Sequence, residues 1–99
     1  MAYVIVATFV CEKAADRTKA LPIMRAHRDR CLKDEPGTLA FEFSTVNDDD
    51  RKLMLYEAYE SRVAFDAHWN GPSIKQAIAE FEAAGVKSSG SGVHCTLVD

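Results

Sequence analysis

The sequence contains no apolar run near the ~20 residues a helix needs to cross a bilayer. It has no excess of positive charge either: 12 lysines and arginines face 15 acidic residues, a net charge of −3. That balance argues against nucleic-acid recognition through a basic surface. Three cysteines, Cys11, Cys31 and Cys95, are too few and odd in number for a disulfide framework, and none forms a Cys-x-x-Cys pair. Such usage fits a reducing, cytoplasmic setting. A P-loop, a Gly-rich dinucleotide turn, His-Glu-x-x-His and a serine nucleophile elbow are all missing. The histidines His27, His68 and His94 are scattered along the chain, so no metal and no cofactor is expected from them. What remains is 99 residues, 47% hydrophobic and 27% charged, the composition of one small globular domain.

Periodicity orders that domain. Tyr3 to Val10 is rich in β-branched and aromatic residues and reads as a strand, with both alternate faces apolar. Its lack of a preceding basic segment sets it apart from a signal peptide. A helix occupies most of Asp16 to Lys33, its apolar stripe formed by Ala20, Met24, His27 and Cys31 and widened by Leu21 and Leu32. Arg25, Arg28, Asp29, Arg30 and Lys33 fall on the wet side. Pro22 interrupts the pattern and predicts a short irregular turn before Leu21. Glu35-Pro36-Gly37 stops the helix.

Thr38 to Thr45 alternates as a strand. Asn47 to Arg51 is a polar turn in which the three aspartates are solvated, and Lys52 to Glu60 is the next strand. Ser61 caps a helix running to Trp69. Pro72 restarts a second piece that ends near Ala84. Lys87 to Gly92 predicts a flexible loop, and Val93 to Val98 a final strand. Strand, helix, strand, strand, helix, strand is the α+β, ferredoxin-like βαββαβ pattern of one antiparallel sheet. Two helices cover one sheet face, and the apolar second face calls for a second copy of the chain, a homodimer.

The candidate chemistry is sparse. His68 and Trp69 end a short helix, where they can line a space between helices and sheet. His68 could take a proton from a phenol or enol, or could be a satisfied, half-buried residue; Trp69 offers a stacking surface or plain core. Glu57 shares a strand face with Leu53, Leu55 and Tyr59, where a carboxylate must be paired or protonated. Tyr56 and Tyr59 point to opposite faces, so only one can see a cavity. His27, on the apolar stripe, reads as a buried, hydrogen-bonded residue rather than a base.

Three segments, Glu35-Pro36-Gly37-Thr38-Leu39, Leu55-Tyr56-Glu57-Ala58-Tyr59-Glu60-Ser61 and Ala64-Phe65-Asp66-Ala67-His68, resemble the antibiotic biosynthesis monooxygenase family over about residues 3 to 82. The resemblance implies a dimeric α/β barrel and cofactor-independent oxygenation of quinols, anthrones or similar hydroxylated aromatics by O₂. It carries the catalytic roles to His68 and Glu57; Trp69, Tyr59, Tyr56 and His27, from the residue patterns above, stand beside them as candidate substrate contacts. Ser73 stands where many members have a second histidine. The first strand has no asparagine and Ile74 to Ala84 no histidine, which disfavours the haem-degrading branch. A non-catalytic dimeric binding protein and an isomerase using the same cavity are the competing readings.

Overall fold

The N-terminal β-branched run becomes strand β1 (Tyr3–Cys11), which lies in the interior of a four-stranded sheet. The structure, a computed structural model, describes residues 1–98. After β1 come helix α1 (Ala14–Asp34), β2 (Thr38–Val46), β3 (Asp49–Tyr59), α2 (Arg62–Trp69), α3 (Pro72–Ala84) and β4 (Ser88–Thr96). The strands are ordered β2-β3-β1-β4, and every neighbouring pair is antiparallel. The chain passes through α1 from β1 to β2, leaving a place that β3 fills. It then passes through α2 and α3 from β3 to β4, on the far side of β1. These are the two interleaved βαβ halves of the ferredoxin-like α+β fold.

Register decides which side chains face the helices. Ile5, Ala7 and Phe9 of β1 lie opposite Glu57, Leu55 and Leu53 of β3, and Phe41 and Phe43 of β2 lie opposite Glu57 and Leu55. Met24 and Cys31 of α1 pack with Phe41 and Leu53 in the main core cluster, while Cys11, Ala20 and Val86 form a second. Phe9 and Phe81 touch both clusters. On the other sheet face Val6, Met54, Tyr56 and Val93 are exposed, Tyr56 by 40% and Val93 by 64%. Both faces are apolar, as the strand patterns predict, yet helices cover only one.

Four local expectations change. α1 is one helix from Ala14 to Asp34 and runs through Pro22 without an irregular turn. Ala20, Met24, His27 and Cys31 are buried along it, so continuous packing outweighs the hydrogen bond that proline removes. Its start lies before Asp16 because Lys13, at the N-cap, offers no capping side chain to mark it. Leu32, assigned to the buried stripe, is exposed. The β2–β3 connection is tighter than expected, for Val46 already pairs with Asp49.

The largest change is β4. The segment Ser88 to Gly92, expected to be a flexible loop, pairs with β1 from Cys11↔Ser88 through Ala7↔Gly92 and onward to Tyr3↔Thr96. Serine and glycine are weak strand formers, but ladder hydrogen bonds need only backbone, and β1 presents a free edge. A Cβ on Gly92 would come within 3.2 Å of Ile5 Cγ2. Small residues here leave open space between β4 and the helices.

Gly37 sets how closely the end of α1 approaches α2. A Cβ at this position would meet Ala64 Cβ at 2.6 Å, and neither backbone can yield cheaply. Gly37→Ala should therefore lower the unfolding free energy by about 1–3 kcal/mol, the usual cost of overpacking. Urea denaturation checks it, and an unchanged midpoint would refute the close-packing account.

Candidate active site

Helix α2 is built to deliver His68. Ser61 Oγ accepts the Ala64 N–H at 3.2 Å, the N-cap that the sequence predicts. Seven residues on, His68 falls in the last turn and points inward, only 3% exposed. Asn70 and Gly71 end the helix, Gly71 N–H donating to His68 O, and Pro72 opens α3.

His68 Nδ1–H donates to Glu35 Oε1 at 2.8 Å. A carboxylate can only accept, so in the neutral imidazole this bond puts the proton on Nδ1 and leaves Nε2 as the lone-pair nitrogen. Glu35 is the C-cap of α1, and its Oε1 also accepts from Thr38 Oγ1 at 2.9 Å. His68 Nε2 lies 3.8 Å from Glu57 Oε1. Tyr59 Oη–H donates to that same Glu57 oxygen. Burial pushes the Glu57 carboxyl upward, opposed by the Tyr59 hydrogen bond and by His68. Burial, followed by the Glu57 charge, also holds the Tyr59 hydroxyl well above its usual range.

Behind His68 stand His27 and Cys31, one turn apart on α1. His27 Nδ1 is 2.9 Å from Ser73 Oγ, which accepts from Arg30 Nε at 2.9 Å. Arg30, placed on the wet side by the helical pattern, thus folds back onto the start of α3. Burial, then His68 and Arg30, lower the His27 pKa to about 4, so this imidazole is neutral. Burial, with the Glu35 charge, raises the Cys31 thiol to about 12. Cys31 Sγ lies 3.6 Å from His68 Nδ1 and 3.6 Å from His27 Nδ1.

Beside these groups a cavity of about 730 Å³ lies between sheet and helices. Ile5, Phe9, Phe41, Phe65, Ile74 and Phe81 supply much of its apolar wall, and His27, Glu57, His68 and His94 bring polar atoms to it. Small β4 residues close one side. Lys87 and Glu82 also border the space. His94 faces it while sharing a hydrogen bond between its Nδ1 and Tyr3 Oη.

Of the residues singled out in the sequence, His68, Glu57 and His27 converge here. Trp69 also borders the cavity but is largely exposed, stacked on Phe65 with ring centroids 6.3 Å apart. Tyr59 is fully buried behind Glu57 and does not border the cavity. Tyr56 lies on the uncovered sheet face, opposite Val6 and Glu42, and does not reach it. β-strand alternation allows only one of the two tyrosines on the helix side, and there Glu57 takes the cavity position. Glu35, Cys31, Ser73 and His94 escaped notice as site residues. The four-residue spacing from His27 to Cys31 to Glu35 puts these three on one helix face, and Ser73 occupies the position of a family histidine.

The sequence profile of the antibiotic biosynthesis monooxygenase family matches residues 1–80. The chain belongs to that family. No curated protein matches it by sequence. A Caulobacter crescentus protein given the same family description shares the fold at a TM-score of 0.85 and 15% identity, over 99% of this chain and 92% of its own. SnoaB of Streptomyces nogalater, a cofactor-independent oxygenase, superposes with a TM-score of 0.73 at 15% identity, over 99% and 94% of the two chains. Rv0793 of Mycobacterium tuberculosis gives 0.77 at 19% identity, over 100% and 98%. At these identities the likeness is one of fold.

The depressed His27 pKa has a measurable cost in acid. Below its ordinary value of 6.5 the unfolded chain takes a proton at His27 that the folded chain refuses until about pH 4. Stability therefore falls as pH drops through that window and levels off below it. A shift from 6.5 to about 4 corresponds to about 3 kcal/mol. Between pH 7 and pH 4 the wild type should lose about that much more unfolding free energy than His27→Gln, measured in urea. Glu57 contributes with the opposite sign in both proteins, and the difference between them removes it.

Proposed function

We propose that the protein is an oxygenase of small hydroxylated aromatic substrates, a quinol, an anthrone or a close analogue, using its own side chains and O₂. The observation that carries the proposal is the buried His68, oriented by Glu35 at 2.8 Å and bordering an apolar cavity. A phenol or activated CH₂ bound there gives its proton to His68 Nε2. Glu35 holds the imidazole in the tautomer this requires and stabilises the imidazolium that forms. The resulting anion is electron-rich and passes an electron to O₂, and the two radicals combine as a carbon-bound peroxide. Glu57, whose carboxyl burial pushes upward and which lies 3.8 Å from His68 Nε2, is placed to relay the proton taken by His68 to the peroxide. Loss of water then leaves one oxygen atom in the substrate as a carbonyl, with two substrate hydrogens and the other oxygen leaving as H₂O. Apolar walls exclude bulk water from the anion, and Phe65 and Trp69 offer ring faces for the substrate. Cofactor-independent oxygenation by SnoaB, on the same fold, supports the reading.

We also propose that two copies pair through the uncovered sheet face, where Val6, Met54, Tyr56 and Val93 would lose their exposure together. Sedimentation equilibrium at micromolar concentration should then give about twice the 11.0 kDa chain mass. A mass of one chain would end this part of the proposal.

Oxygen consumption with a panel of quinols and anthrones tests the reaction. With an active substrate, His68→Ala and His68→Asn should each lower turnover by about 10²- to 10⁴-fold, the usual contribution of a general base. Glu35→Gln should reduce kcat more than it raises KM, because it disturbs the tautomer and not the cavity. Tight binding of a panel member without oxygen uptake would refute the oxygenase and favour a binding protein. Full turnover by His68→Ala would remove His68 from the chemistry.

A further inference from the structure

We propose that His27, Cys31 and His68, with the Glu35 carboxylate beside them, form a binding site for one thiophilic divalent cation of the zinc class. The three nitrogen and sulfur donors are buried, and their ligating atoms lie within 4.8 Å of one another. Two observations carry the argument beyond mere proximity.

The first is the spacing of the donors. Bonds of about 2.0–2.1 Å to imidazole and about 2.3 Å to thiolate put nitrogen and sulfur about 3.6 Å apart across a tetrahedral corner. Cys31 Sγ lies 3.6 Å from His68 Nδ1 and 3.7 Å from His27 Nε2. A cation replacing the proton on His68 Nδ1 has the Glu35 carboxylate beside it, 2.8 Å from that nitrogen, and the fourth corner is open to water.

The second is the surroundings of each donor. His27 Nδ1 is held by Ser73 at 2.9 Å, which leaves Nε2 as its ligating atom. With Nδ1 of His68 on the cation, its remaining proton moves to Nε2 and faces Glu57, 3.8 Å away. Each imidazole would thus carry an outer partner that fixes its orientation, as ligating histidines do. One thiolate and one carboxylate neutralise a divalent charge, so the filled site buries no net charge. Thiolate with imidazole favours zinc over magnesium or calcium, which take oxygen donors. Entry is through the cavity, which His27 and His68 border.

The site itself does not depend on the oxygenase reading, but one consequence does. A cation on Nδ1 puts the proton of His68 on Nε2, so the loaded protein lacks the base proposed above. Zinc should therefore inhibit oxygenation.

Cobalt(II) provides the probe. The reduced, untagged full-length chain, freed of metal by chelation, is titrated with Co²⁺ in the absence of substrate. The expected result is one Co²⁺ per chain, with thiolate-to-cobalt charge transfer in the near ultraviolet and the intense visible bands of a tetrahedral ion. Zinc then displaces the cobalt. Cys31→Ser should abolish the charge-transfer band, and Cys11→Ser and Cys95→Ser should retain it. Should Cys31→Ser fail to fold, His27→Gln takes its place and should weaken cobalt binding at least about tenfold. No charge-transfer band at one equivalent overturns the site. So does a band that survives Cys31→Ser, one lost in Cys95→Ser, or unchanged affinity in His27→Gln. Because the spectrum is read without turnover, an inactive protein that binds cobalt sinks only the oxygenase, and an active one that binds none sinks only the metal site.

Discussion

The hydrogen bond from His68 Nδ1 to Glu35 joins parts of the chain that are 33 residues apart. Glu35 caps α1, touches the start of β2 through Thr38, and meets the last turn of α2. One contact therefore aligns two helices with the sheet and orients the imidazole bordering the cavity. Gly37, two residues beyond Glu35, lets the helices come close enough for it, since any Cβ there would strike Ala64. If the approach were looser, His68 would lose the partner that sets its tautomer.

Around this contact the protein gathers titratable groups in a small buried volume: His27, Cys31, Glu57, Tyr59 and His68. Burying them is costly unless each finds a partner or gives up its charge. Both remedies are used. His68 leans on Glu35 and His27 on Ser73; Glu57 accepts from Tyr59. Burial keeps His27 neutral and the Cys31 thiol protonated near neutral pH. Ordinary core filling would have used leucine or phenylalanine at several of these positions. A paired polar cluster against an apolar wall is a suitable setting for proton transfer, because small changes in a bound molecule shift its balance.

Much of this was legible along the chain. Alternation in β1, β2 and β3 placed their faces, the Ala20-Met24-His27-Cys31 stripe marked the buried side of α1, and Ser61 marked the start of α2. The segments containing Glu35, Glu57 and His68 pointed to the family. Other features left little local signal. Ser88 to Gly92 looks like linker until β1 offers it an edge, and Pro22 looks like a break until packing on both sides carries the helix through it. Arg30 looks solvated until α3 brings Ser73 within 2.9 Å.

The sequence by itself determined the order of elements, the side of each element that seeks cover, and which ionisable residues occupy those sides. Those properties follow from spacing along one helix or strand, and residues a few positions apart suffice to express them. Only the tertiary structure decided that Glu35, Glu57 and His68 meet, that Tyr59 supports Glu57 from behind, and that Tyr56 faces away. It also decided that glycines and serines of β4 leave space for a cavity. Such outcomes depend on strand register and helix approach, which are set by packing between segments 30 to 90 residues apart, as Tyr3 and His94 show.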